Sequence, residues 1–556
     1  MTREPLNNSL RTQSFRLVRN LGALLKVYVH PSKKRNNECG PAWKTRRARP
    51  EAHICRALPL GKGTTLTIEP RRNSCTLQTT LSMQGVIQRF PKAINRLVWV
   101  TVFVLLSGCA MQSGLEAPEQ SMPAQWLNQQ QASEAMVHHP QWWQQFNSAE
   151  LNQLVDQALA ANTDLLAATA RVEQADAQLS QAGSALFPAL GLGAGGSRSG
   201  VFGESGSSES YNASVSASYE LDLWGQLRNS RDVARASLLA SQFSRDTVQL
   251  TVIASVVNTY LQVLYLQDNL ALSEENLALA QQVLDVVQAK VENGAVSPQD
   301  LAQQKTVVAN VKAQLPSLRH QLRQSRYALA VLVGEMPQAF QVGGGTLSNL
   351  QLPEIQAGLP DQVLAQRPDI AQAQASLMAA DYSVAAARAD YWPSITLTGS
   401  GGYASSALSS LFNGDALYSL GVSLAQTLFD GGARNARIDQ SKAAWQEQVA
   451  SYTGTLLVAL QEVEQSLSNV QGLAEQQQYR EEAYQQAEEA YRVAQVRYQE
   501  GETELTDVLS AQSSFNSARQ NSLDLIYNQY QSRITLYRVL GEGGERGEGG
   551  EASAEP

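Results

Sequence analysis

Along residues 211–225, "YNASVSASYELDLWG", apolar and polar positions alternate: Tyr211, Ala213, Val215, Ala217, Tyr219, Leu221 and Leu223 interleave with Asn212, Ser214, Ser216, Ser218, Glu220 and Asp222. Successive side chains of a strand point to opposite faces, so this segment presents one apolar face and one polar face. A sheet over a soluble core fits that pattern, and so does a membrane barrel with lipid outside and water inside. Strands are predicted in two pairs. Residues 188–197 and 211–223 are joined by "SRSGVFGESGSSES", and residues 393–403 and 417–429 by "ASSALSSLFNGDA". Each strand has about the ten residues that a tilted strand needs to cross a bilayer, and the joining loops are polar and Gly/Ser-rich. Aromatic residues stand near the strand ends: Phe187, Tyr211, Tyr219, Trp224, Tyr391, Trp392, Tyr403, Tyr418 and Phe429. They suit an interfacial girdle in a barrel or a core in a soluble sheet.

Between the strand pairs the period changes. From Gly225 to Gly294 no Gly or Pro intervenes, and Leu279, Val283, Val286 and Val287 recur at three- and four-residue steps. One helix over that run would be ~100 Å long, and its apolar seam implies helices packed side by side. Ala433–Glu500 is a second such run, interrupted only by Gly454 and Gly472. The chain in fact contains itself twice. "NTDLLAATARVEQADAQLSQAGSALFPALGLGAGG" (162–196) matches "RPDIAQAQASLMAADYSVAAARADYWPSITLTGSGG" (367–402), "LDLWGQLRNSRDVARAS" (221–237) matches "TLFDGGARNARIDQSKA" (427–443), and "VENGAVSPQDL" (291–301) matches "YQEGETELTDV" (498–508). Each copy is ordered helix, two strands, two long helices, which is a duplicated half-protein and not a solenoid unit.

Charge and cysteine divide the chain differently. Residues 1–82 hold 16 Lys+Arg against 4 Asp+Glu and three of the four cysteines, Cys39, Cys55 and Cys75; they show no fold pattern and read as an upstream, disordered extension ahead of a start at Met83. Residues 83–108 have the layout of a secretory signal peptide, with Arg89, Lys92 and Arg96 followed by the apolar "LVWVTVFVLL" (97–106), too short for a comfortable membrane-spanning helix. "LSGC" (106–109) is similar to the bacterial lipobox, which implies cleavage before Cys109 and a lipid on its sulfur; Ala110 by the same resemblance favours outer-membrane sorting. From Cys109 onward there are 24 Lys+Arg against 47 Asp+Glu and no further cysteine, so a disulfide partner for Cys109 is missing. A basic nucleic-acid surface is not indicated.

Four strands cannot close a barrel, since the smallest closed barrels have ~8, and an open sheet in lipid would leave its edge groups unpaired. Several chains must therefore share one barrel, and three would supply twelve strands. Together with the secretory signal, the lipid anchor and the lack of an 18-residue apolar run after it, this points to a Gram-negative outer membrane.

The motifs "YELDLWGQLRNSRDVARAS" (219–237), "LPDQVLAQRPDIAQAQASL" (359–377), "WPSITLTGSGGY" (392–403), "LFDGGARNARI" (428–438) and "RYQEGETELTDVLSAQSSF" (497–515), duplicated and in this order behind a lipobox, resemble the TolC-type outer membrane efflux channels over about residues 106–541. The closer resemblance is to the NodT-like lipoprotein branch that works with resistance-nodulation-division pumps. The resemblance implies a homotrimer: a twelve-strand β-barrel, four strands per chain, continuous with a long periplasmic α-helical barrel. A mixed belt would come from residues 125–160, 335–358 and the region after Leu540. The implied organisation is a linker and belt segment (109–150), a first efflux repeat (151–358), a second (359–541) and a disordered acidic tail (542–556). The implied partners are a periplasmic adaptor (membrane fusion protein), an inner membrane pump and outer membrane lipid. No cofactor is implied beyond the lipid on Cys109.

In such a conduit the sites are constrictions and docking surfaces. By resemblance the turns at 293–301 and 500–508 lie at the periplasmic tip, where Gly294 and Gly501 would permit tight turns that dock the adaptor. Asp300 and Asp507 occupy matching places just after the turns, and threefold symmetry would make each a carboxylate ring resisting closure. Both also suit helix-start caps. In many members of the family that the chain resembles, a second acidic residue follows one turn after the position of Asp507; here that place is Ser510, so Leu509 and Leu505 are candidates for an apolar constriction or for packing. Catalysis finds no support. His138 and His139 are adjacent in a linker, His320 is alone on a helix, and "GLGAGG" (191–196) is followed by a Ser/Gly loop where a dinucleotide site would need a helix. The resulting expectation is a non-enzymatic outer membrane channel exporting drugs or other small toxic compounds. A type I protein-secretion conduit and a lipid-anchored trimeric coiled-coil surface protein stand as alternatives.

Overall fold

The computed structural model describes residues 115, 122–127, 140–203, 206–343, 345–353, 355 and 357–543, all within one compact unit, Phe90–Pro556. The upstream extension, the signal peptide, Cys109, Ala110, His138, His139 and residues 544–556 lie outside the described residues.

The elements are α1 (Ala149–Ala161), α2 (Thr163–Ser184), β1 (Ala189–Gly200), β2 (Ser207–Glu220), α3 (Gln226–Glu292), α4 (Pro298–Leu332), α5 (Pro360–Gln366), α6 (Pro368–Ala389), β3 (Ser394–Ser405), β4 (Leu417–Ala425), α7 (Ala433–Glu500) and α8 (Leu505–Val539). The order repeats: α5 through α8 retraces α1 through α4. The strands join into one antiparallel sheet in the order β1-β2-β3-β4, so β2 and β3 bring the two copies together.

The long helices begin alike. Gly225 (φ 81°) and Gly432 (φ 93°) occupy the left-handed region at their starts, and an upstream aspartate supplies the cap in each case. Asp222 accepts from the backbone N–H of Leu227 (3.1 Å) and Arg228 (2.9 Å), and Asp430 from those of Gly432 (2.9 Å) and Arg434 (3.1 Å). This capping corrects the expected strand ends. β2 stops at Glu220 and β4 at Ala425, because the following residues turn so that Asp222 and Asp430 can reach the orphan N–H groups of the helices. Gly454 and Gly472 do not interrupt α7, and α4 runs unbroken through Pro316 despite the ~3 kcal/mol that an interior proline costs a helix.

The main core lies halfway along the long helices. Its centre is the Trp142–Phe146 turn, with Trp142 stacked on Tyr537 at 4.8 Å, over α3 residues Val252 to Leu266 and the ends of α4 and α8. The most apolar window of α3 has the length and composition to cross a membrane, yet it packs under this belt. Polar ties fix the belt loops. Tyr530 donates to the carbonyls of Leu347 (3.2 Å) and Leu350 (2.9 Å), the Leu347 N–H donates to Asp268 (2.9 Å), and the Trp126 indole N–H donates to Gly358 (2.8 Å). Arg367 is buried and donates to the Val539 carbonyl (2.9 Å), Asp369 (2.7 Å) and Glu462 (2.7 Å). Burial disfavours its charge, but the hydrogen bond and charge of Asp369, and those of Glu462, outweigh that and raise its pKa. Of the segments expected to form a belt, Trp142–Phe146, α1, Val342 and Leu347 pack in this core, and Trp126 and Ala357 in a second cluster with Leu536 and Leu540. Residues 542 and 543, expected in the tail, belong to the belt too: Glu542 is buried, and Gly543 (φ 110°) lies so close to Trp142 that an added Cβ would stand 3.0 Å from the indole nitrogen.

Candidate functional site

The strand registers sort the sheet into two chemically distinct faces. One face carries the rows Leu190–Ala217–Gly399–Leu420 and Leu192–Val215–Gly401–Tyr418, with Tyr219–Leu397–Val422 and Ile395–Leu424 below them and Ala213–Tyr403 above. The other carries Gly191–Ser216–Ser400–Ser419, Ala189–Ser218–Thr398–Gly421 and Glu220–Thr396–Ser423, with Gly193–Ser214–Gly402–Leu417 at the upper end. Gly402 is required by the approach of β2, since a Cβ there would lie 2.2 Å from the Ala213 carbonyl oxygen. "GLGAGG" runs inside β1 with no helix after it.

A soluble sheet would bury its apolar face. Here Leu192 is 84% exposed, Leu420 83% and Val422 72%, and among the described residues nothing covers them. From Ile395 to Tyr403 the apolar band extends eight residue steps, about 26 Å along the strand, the scale of the ~25 Å lipid-facing band of membrane barrels. Below it Trp224 stacks on Trp392 at 5.0 Å and donates from its indole to the Pro393 carbonyl at 2.7 Å, while Phe187 and Phe429 stand exposed. Phe429 sits in the turn after β4, below the strand in which it was expected.

At the far end of the long helices the two turns pack side by side. Val283, Val287, Tyr491, Tyr498, Leu505, Val508 and Phe515 make a common core, with Tyr491 stacked on Phe515 at 5.5 Å. Gly294 (φ 70°) and Gly501 (φ 82°) adopt the left-handed backbone, and a Cβ on either would meet nothing, so conformation and not crowding calls for glycine.

Asp300 completes a capping box: it accepts from the Ser297 N–H and hydroxyl, both at 3.0 Å, and its own N–H donates to the Ser297 oxygen at 3.3 Å. Asp507 takes the matching place in the first turn of α8, is exposed, and accepts a bond from the Thr503 hydroxyl. Ser510 is exposed one turn later, Leu509 packs half-buried on the tip core, and Leu505 is buried inside it, which removes Leu505 as a constriction.

A link between the hairpins was not legible beforehand. The Lys290 ammonium donates to the Tyr498 carbonyl and lies 4.2 Å from the centre of the Tyr498 ring. Burial first, and the charge of Asp300 second, push the Tyr498 hydroxyl pKa up. Its only sequence signal was a lysine in the last turn of a helix, where many contacts are possible. His320 stands on α4, and the described residues contain no group of three His, Cys, Asp or Glu suited to a metal.

An exposed apolar sheet face, a hydroxyl-lined opposite face and helices ~100 Å long define a membrane channel subunit with a long extramembrane stem. The chain belongs to the outer membrane efflux protein family, whose model matches residues 154–335 and 359–542. It is 34% identical over 467 residues to the pyoverdine export outer membrane protein OpmQ of Pseudomonas aeruginosa, covering 81% of this chain and 97% of that one. It is 30% identical over 450 residues to the cation efflux system protein CusC of Escherichia coli K12, covering 80% and 98%. Among solved structures it is similar to the open state of the Neisseria gonorrhoeae MtrE outer membrane channel, with TM-score 0.73, 29% identity and coverage of 78% and 98%. A CusC structure matches with TM-score 0.70 and 29% identity, covering 78% and 100%. The chain is thus an outer membrane efflux channel, the outer membrane component of a tripartite efflux pump, and reaches from the Gram-negative outer membrane into the periplasm. These relatives are channel proteins rather than enzymes.

Proposed function

We propose that three copies of this chain close one twelve-strand barrel and one helical tunnel, forming a passive conduit for drugs or other small toxic compounds. The observation that carries this reading is the open sheet: its apolar face is exposed, and β1 and β4 each have an edge without a neighbouring strand among the described residues. In lipid such edges must pair, and pairing β1 of one copy with β4 of the next satisfies them. A lipid on Cys109 anchors the chain beside the barrel. At the other end Asp507, Ser510 and Leu509 form the gate, with Asp300 supporting it through the α4 cap, and the turns at Gly294 and Gly501 present the tip to a periplasmic adaptor coupled to an inner membrane pump. The small-compound reading rests on the hydroxyl- and glycine-lined face of the sheet; relatives carry names as different as pyoverdine export, cation efflux and toluene efflux.

The test is expression with a cognate adaptor and pump in a strain lacking its own efflux channel. Restored resistance to several unrelated compounds, with trimers recovered from the outer membrane, supports the reading. Trimers that restore only secretion of a protein substrate would replace it with the secretion conduit.

A further inference from the structure

The hydroxyl-lined face of the sheet carries one ionisable side chain. Along β2 the face runs Asn212, Ser214, Ser216, Ser218 and Glu220, and every residue that β1, β3 and β4 add to it is uncharged. The other charged pair in the sheet, Arg198 and Glu209 at 3.7 Å, stands on the opposite face. Glu220 ends β2, paired with Thr396, which pairs in turn with Ser423, so it marks the level where strands give way to helices. Cations near this level are engaged elsewhere: Arg228 with Asp222 (3.0 Å), Arg434 with Asp430 (3.8 Å) and Arg437 with Asp390 (2.9 Å). Among the described residues no ion pair holds Glu220.

We infer that Glu220 is a charge-selectivity residue, three copies forming a ring of carboxylates at the lower mouth of the barrel that favours cations and slows anionic cargo. The inference rests on the three-chain barrel proposed above. Twelve strands ~4.8 Å apart and tilted by ~40° enclose a cylinder of ~12 Å radius, and the Glu side chains reach inward from that wall. At ~0.1 M salt the Debye length is ~10 Å, so the three fields overlap at the axis, whereas at ~1 M it is ~3 Å and each field dies near the wall. With hydroxyls and glycines elsewhere on the wall, nothing in the sheet offsets the ring. A merely structural role for Glu220 would show no such salt dependence.

The experiment is reversal potential across a planar bilayer in a KCl gradient, with full-length protein from the outer membrane. It compares the parent, Glu220→Gln and Glu209→Gln, each also in an Asp507→Ala background so that tip carboxylates do not set the ratio. Glu220→Gln should lower the cation-to-anion permeability ratio about twofold near 0.1 M salt and much less near 1 M, with Glu209→Gln like the parent. If Glu220→Gln does not assemble, Thr396→Lys places a cation beside the carboxylate and should shift the ratio the same way. Channels of parental conductance whose ratio is unmoved by these changes would overturn the assignment while leaving the barrel intact. Well-folded trimers that stay non-conducting in the Asp507→Ala background as well, where the tip gate is disabled, would overturn the barrel reading and this inference with it.

Discussion

The sheet and the belt use the same apolar residues in opposite ways. In the belt Trp142, Phe146, Leu261 and Tyr537 are at most 1% exposed, gathered by loops pinned through Tyr530, Asp268 and Arg367. In the sheet Leu192, Leu420 and Val422 point outward, uncovered among the described residues. Water drives the first arrangement and penalises the second, so only a lipid solvent reconciles both in one chain. A single molecule thereby records where the membrane ends and the periplasm begins.

The contrast breaks most sharply at the sheet. Leu420→Arg sets a charge on the lipid face, at a cost of ~2–4 kcal/mol near the bilayer midplane in each of three chains; outer-membrane trimers should be lost on semi-native gels, whereas Ser419→Arg, one residue away on the other face, should assemble. Trp142→Ala should destabilise the belt by ~3–5 kcal/mol, lowering the melting temperature of detergent-purified protein while surviving trimers keep their barrel. Arg367→Met leaves Asp369 and Glu462 without their shared cation. Because both carboxylates are partly solvated, a loss of ~1–3 kcal/mol is expected in the same melts.

Alkaline pH sharpens the comparison from the belt side. Burial above all pushes Tyr260 and Tyr265 up to about 12, with added contributions from Glu150 and Asp524 respectively. A hydroxyl whose folded pKa is raised above its ordinary 10 contributes stability that is complete below pH 10 and is lost as pH climbs towards 12. Chemical denaturation between pH 8 and 11 should therefore show falling stability from about pH 10, and Tyr260→Phe with Tyr265→Phe should flatten the fall. The smallest effect is at the tip, where Ser297→Ala removes one cap and should cost ~1 kcal/mol, visible as faster amide exchange in the first turn of α4.

Much of this was legible in advance because it rests on local rules. The alternation of Tyr211 to Leu223 defined the faces of β2, and a run free of glycine and proline for α3, with one broken only by Gly454 and Gly472 for α7, defined those helices to within a residue. The strand ends were not legible: Asp222 continues the alternation yet leaves the sheet, because capping a helix start is a competing use of the same residue. Asp300 could be a gate or a cap from its position alone, and only the Ser297 contacts place it in a capping box. Long-range pairings such as Lys290 with Tyr498 and Arg367 with Val539 depend on how the copies pack, which no local pattern encodes.

The central claim is that one face of the sheet meets lipid and the other meets water. No cysteine follows Cys109, so single cysteines placed in turn along β4, from Tyr418 to Leu424, can be probed in reconstituted membranes with a lipid-insoluble thiol reagent. Labelling at Ser419, Gly421 and Ser423 with protection at Tyr418, Leu420, Val422 and Leu424 is the predicted outcome. Uniform labelling, or alternation in the opposite phase, would contradict it.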